Sequence, residues 1–145
     1  MEPGLRKKRP WRVWEVGALV AALGVFLIVG VAPRLAASME GDLKARLKSA
    51  NRPGEIVLDL DIEYDGLYEC GGAQVTAATL NGSPALTSLP YFLGEIAARR
   101  PKSLPLRFSS SVGKPGETAQ LVLGTRWNTL TNQGERREVI RFKLP

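Results

Sequence analysis

Hydrophobic and polar positions change rhythm several times along the chain, and each rhythm predicts a different element. From Val16 to Ala32 there is no charged or polar side chain at all, only Val, Ala, Leu, Gly, Phe and Ile. At about 1.5 Å of rise per residue, such a helix crosses most of a bilayer core roughly 30 Å thick. Val13 and Trp14 before the run and Leu35 to Ala37 after it extend the apolar length, so a transmembrane helix is predicted over 13–35. The competing reading is a cleaved signal peptide ending near Ala36, Ala37 and Ser38. Its apolar region is normally about 7–15 residues, shorter than this one.

Beyond the span, Met39, Leu43 and Leu47 recur every fourth residue, which predicts a short amphipathic stalk helix within a linker over 36–53. Ile56, Leu58, Leu60, Ile62 and Tyr64 alternate with Asp59, Asp61 and Glu63, the period of a strand with one wet face. Asp65-Gly66 predicts a two-residue hairpin returning through Leu67 to Val75. Asn81-Gly82-Ser83-Pro84 reads as a loop. Leu89, Phe92, Leu93, Ile96 and Ala97 then follow helical spacing, with Thr87 or Ser88 as cap and Pro101 as stop. Leu104, Leu106 and Phe108 alternate as a strand, Ser109 to Gly116 form a loop, and Ala119, Val122, Leu123, Trp127 and Leu130 outline a second helix ended by Asn132-Gln133-Gly134. Ile140, Phe142 and Leu144 close the chain as a strand. The predicted fold class is α/β (α+β): one transmembrane helix, then a β-β-α-β-α-β mixed-sheet domain over 54–145.

Charge adds an orientation. Arg6, Lys7, Lys8, Arg9 and Arg12 precede the apolar run, and cations on that side place residues 1–12 in the cytoplasm as a basic tail and the C-terminal domain outside it. Half of the net +6 belongs to residues 1–33, so the outer domain carries only +3. No basic cluster is interleaved with stacking aromatics, which argues against nucleic acid as a partner. Within the domain the charge is uneven: Glu55 to Glu95 hold seven acidic residues and no basic one, while Arg99 to Lys143 hold ten basic and three acidic. The wet face of the hairpin (Asp59, Asp61, Glu63) and Arg107, Arg141 and Lys143 are expected either to meet as cross-strand ion pairs or to join two chains.

Candidate chemistry is sparse. The chain has no histidine and one cysteine, Cys70, so His-based triads, ordinary zinc sites and an intrachain disulfide are excluded. The Asp59 to Gly66 run resembles a calcium loop, but the twelfth position counted from Asp61 is Gly72 and the closing carboxylate is missing. Gly113-Lys114-Pro115-Gly116 lacks the order of a phosphate loop. No catalytic residue, metal or cofactor is expected. Two features of the span remain: Glu15, an ionisable group at its start, as a proton-coupling candidate, and Gly17, Ala21 and Gly24, a smooth stripe for packing against another helix.

The basic tail, the single span ending in Val31-Ala32-Pro33-Arg34-Leu35, the strand and Asp-Gly turn over Ile56 to Tyr68 and the order of elements from Leu104 to Leu130 together resemble the ExbD/TolR family. That resemblance implies a non-enzymatic, single-pass component of a proton-driven transport complex in the bacterial inner membrane, with a periplasmic domain. It also implies a polytopic ExbB/TolQ-like partner, a homodimer and contact with membrane lipid. The family's aspartate in the span falls here in the region of Leu19, which leaves Glu15, one turn earlier, as its stand-in. The alternative is an anchored adaptor or assembly module of a secretion or envelope machine, with no proton role. A secreted enzyme is a third possibility.

Overall fold

A computed structural model of the chain describes residues 12–145. The basic tail and Trp11 lie outside them. The described chain divides into two compact units at Ser38/Met39.

The first unit is helical. Helix α1 (Val13–Phe26) runs into a π-helical turn (Leu27–Val31) and then α2 (Ala32–Met39). The wide turn comes just before Pro33; in it Ala32 N–H bonds Leu27 C=O, five residues away. Val13–Val31 is long and apolar enough to cross a membrane, and none of it is buried within the protein.

The second unit is a mostly β domain of two antiparallel sheets. One has the order β1-β2-β6, formed by Leu43–Asn51, Ile56–Tyr64 and Lys102–Phe108. The other has the order β4-β3-β7-β8, formed by Ser83–Pro84, Cys70–Leu80, Thr118–Asn128 and Gln133–Lys143. Strand β5 (Tyr91–Ile96) also pairs with β3, alongside Cys70 to Val75, while β4 occupies the Thr79–Leu80 end. Both sheets turn their alternating apolar positions to a common core. Ile56, Leu58, Leu60 and Ile62 of β2, Leu104, Leu106 and Phe108 of β6, and Leu121 and Leu123 of β7 are fully buried there. Each such side chain contributes about 1.5–3 kcal/mol relative to an exposed one.

Several expectations are corrected. The stalk predicted over 36–53 is in large part strand β1: Leu43, Ala45 and Leu47 face inward while Lys44, Arg46 and Lys48 are exposed. The chain after Tyr64 does not fold back on β2 as a hairpin, because both sides of β2 are taken, by β1 and β6; it crosses to the other sheet. The helix predicted around Leu89 to Ala97 is the irregular strand β5. Its buried residues Leu93 and Ile96 stand three apart because the register is bulged: Gly94, at φ +73°, pairs with Ala73 and Phe92 with Gln74, which leaves Leu93 as an extra residue. The helix predicted over Ala119 to Leu130 is β7, whose inward residues are Ala119, Leu121, Leu123, Thr125 and Trp127. The β-β-α-β-α-β order is therefore not present in the domain.

Other readings hold. Strands β2 and β6 occupy the predicted positions, Asn81 and Gly82 both take positive φ in a tight turn between β3 and β4, and 109–116 is a loop containing one 3-10 turn (Ser110–Val112).

Candidate functional site

Two regions hold the residues that the sequence singles out, and a third emerges only in the folded domain. In the span, Glu15 sits in the first turn of α1, where its carboxylate accepts a hydrogen bond from Arg12 N–H at 3.2 Å. Free amides crowd the start of any helix, and a glutamate at the third position reaching back to the cap residue satisfies one of them. The position accounts for a carboxylate there without invoking proton movement. Gly17 and Gly24 are open on their Cβ sides, with nothing within 4 Å. A shallow apolar groove of about 580 Å³ runs along the helix, lined by Ala21, Ala22, Val25, Phe26, Val29 and Gly30. Of the three stripe residues, only Ala21 belongs to it.

The two halves of opposite charge meet in one ion pair, but not through the carboxylates expected. Arg107 pairs with Glu55 at 2.6 Å, not with the β2 carboxylates. Asp59 and Asp61 accept from the hydroxyls of Ser49 and Ser103, at 2.7 and 2.8 Å. Arg141 and Lys143 lie on β8, in the other sheet from these carboxylates. Cys70 is buried, and burial pushes its thiol pKa up, away from the reactive thiolate.

The third region is a polar cleft of about 400 Å³ where the chain enters the domain. Its walls come from the segment before β1 (Glu40, Gly41, Asp42), the end of β2 (Asp65), and the β7–β8 turn with its flanks (Trp127, Thr129 and Asn132 to Gly134). Every carboxylate here has an internal partner. Glu40 accepts from the hydroxyls of Thr131 and, at 2.9 Å, Thr129; these bonds hold its pKa below the ordinary value. Asp42 pairs with Arg136 at 3.2 Å. Asp65 pairs with Lys44, which lowers the carboxyl pKa and raises that of the amine.

Backbone bonds lock the same segment. Gly41 N–H donates to the Tyr64 hydroxyl at 2.9 Å and Asp42 N–H to Asp65 Oδ1 at 2.7 Å. Asp65 N–H returns a bond to Asp42 C=O, and Leu67 N–H donates to Met39 C=O. Gly41 must be glycine, because a Cβ there would overlap the backbone of Gly66. Burial raises the Tyr64 pKa, keeping the hydroxyl protonated at this junction. Among the described residues, no group of three or more His, Cys, Asp or Glu side chains is placed to hold a metal ion. What the arrangement does is fasten Met39 to Asp42 to both sheets at once.

Sequence reasoning missed this region because its members lie far apart in the chain. Glu40 and Thr131 are 91 residues apart. The Asp65-Gly66 pair, read as a hairpin turn, was its one visible trace.

Comparison with known families and with curated proteins returned no match.

Proposed function

We propose that this chain is a single-pass membrane-anchored interaction module of the cell envelope, with a non-enzymatic β-domain outside the cytoplasm and the basic tail inside. The observation that carries the reading is the junction. Helix α2 ends at Met39, β1 begins at Leu43, and the residues between them are clamped by Tyr64, Asp65, Thr129, Thr131 and Arg136. The entry segment is thus held to the domain itself, and Val13–Val31 before it is long and apolar enough to cross a membrane.

The adaptor reading is preferred over a proton-coupled, ExbD/TolR-like component for two reasons. Two helices in the element order behind that resemblance are the strands β5 and β7. Glu15, the proton-coupling candidate, makes a helix-capping hydrogen bond.

The test is a domain exchange. Val16 to Ala32 is replaced by an unrelated apolar helix, and proteins captured by cross-linking in native membranes are compared with those captured by the unaltered chain. The adaptor reading expects the same captured proteins, and their loss when residues 39–145 are replaced instead. Capture of a multi-span partner that follows the original span would overturn it. A reporter enzyme fused after Pro145, active only outside the cytoplasm, checks the orientation.

A further inference from the structure

The two sheets treat surface charge differently. On the outer face of β1 and β2, cations stand opposite carboxylates in register: Lys44 faces Glu63 and Arg46 faces Asp61. That face neutralises itself. On the outer face of the other sheet, β8 presents Arg137, Arg141 and Lys143, all exposed, and the β7 residues opposite them are Gly124, Gln120 and Thr118. Neither β3 nor β7 contains an aspartate or glutamate. Glu135, the acidic residue on the outward face of β8, is engaged by Arg126 at 3.7 Å. Among the described residues Arg137, Arg141 and Lys143 make no ion pair or side-chain hydrogen bond.

At about 3.3 Å per residue, the three cations form a column roughly 20 Å long, with gaps of about 13 and 7 Å. Beside the column, the centre of the sheet is low: Gly124 lies against Thr76 and Ala77. A single file of uncompensated cations along a shallow surface matches a linear array of negative charges. A second copy of the chain is a poor match, since its β2 carboxylates already stand opposite cations. Two of the three cations are arginines, whose planar guanidinium groups bind phosphate oxygens in pairs.

We propose that the outer face of the β3-β7-β8 sheet is a docking surface for a linear polyanion that carries phosphate groups along its length. The cations contribute long-range attraction and counterion release, so binding is salt-dependent.

The experiment uses the full chain in neutral phosphatidylcholine nanodiscs, titrated with inorganic polyphosphate at several salt concentrations. The unaltered chain is expected to bind at about 100 mM salt. The triple variant Arg137→Gln/Arg141→Gln/Lys143→Gln is expected to lose at least tenfold in affinity, and its log–log salt slope to fall by about two to three, roughly 0.7–0.9 for each cation removed. The control Arg46→Gln/Lys48→Gln/Arg100→Gln removes the same charge from other exposed positions and is expected to bind like the unaltered chain. Equal losses in both variants would overturn the proposal by reducing the effect to net charge, as would absence of binding by the unaltered chain. Tighter binding of polyglutamate than of polyphosphate would reassign the face to an acidic protein. Loss of polyphosphate binding by the unaltered chain in phosphatidylglycerol discs would reassign it to lipid headgroups. Circular dichroism of each variant confirms that folding is unchanged.

Discussion

The backbone N–H of Ala45 donates to a Glu138 carboxylate oxygen across 2.8 Å, joining strands that belong to different sheets. Strand β1 is an edge of its sheet, and an unpaired edge amide is a template for another chain. Glu138 covers that amide while also facing Arg136 at 4.0 Å. The opposite edge, β6, is protected differently: Pro105 interrupts its donors, Leu86 N–H bonds Arg107 C=O at 2.7 Å, and Arg107 N–H bonds the Thr87 hydroxyl at 2.9 Å.

Replacing Glu138 with alanine leaves the Ala45 amide unsatisfied. The expected cost is about 1.5–3 kcal/mol, as for a hydrogen bond to a charged acceptor. In a domain of this size that lowers the melting temperature by roughly 5 °C or more. Thermal denaturation measures it, and an unchanged melting temperature would show that water replaces the carboxylate without loss.

Glu40 makes the junction pH-sensitive. Its folded-state pKa lies below the ordinary value of 4.5, so its carboxylate contributes stability above that pH and loses the contribution as pH falls through the folded value. Glu40→Gln imitates the protonated side chain. The variant should melt below the unaltered protein at pH 7, and the two should converge on acidification below about 4.5. A difference independent of pH would mean that the charge of Glu40 plays no part.

Gly41→Ala tests the close approach of two backbone segments. The added methyl group overlaps Gly66, so one segment must shift. Overpacking of this kind costs about 1–3 kcal/mol. The same substitution at Gly54, where a Cβ meets nothing within 4 Å, keeps the surroundings open but strains a φ of +133°. Chemical denaturation of both variants separates steric overlap from backbone strain; in Gly41→Ala, weaker amide protection at Asp42 and Asp65 marks the overlap.

Cys70 should be inert in the folded domain. It is fully buried and its thiol is held protonated, whereas a thiolate is the reacting form. Maleimide labelling should be slow in native buffer and complete within minutes in concentrated guanidinium chloride. Rapid labelling of the native protein would mean that β3 opens locally at that end.

The long apolar helix and the two most regular strands were legible in the sequence because nothing interrupts their rhythm. Ile56 to Tyr64 alternates for nine residues, and Leu104, Leu106 and Phe108 repeat it. The misread segments share one physical cause. A spacing of four, as in Met39, Leu43 and Leu47, is a helical step and also twice a strand step, so the charged residues between them are what separates the two readings. In β5, a bulge at Leu93, beside Gly94, turns the two-residue period into a three-residue gap that imitates a helix. In β7, Val122 adds an apolar residue on the outward face and Thr125 a polar one on the inward face, blurring the alternation. The junction cleft was invisible for a different reason: it is assembled from three stretches that only tertiary folding brings together. The basic column could be read as a charge excess in the second half of the chain, but its placement on one sheet depends on β8 pairing with β7.

The clamp on Met39 to Asp42 also decides how the domain answers a pull. Tension applied at that segment reaches Tyr64 and Asp65 beside one sheet and Thr129, Thr131 and Arg136 beside the other. Strand β1 cannot be unzipped from its free end until those bonds yield together. Force entering at that segment is shared between the sheets.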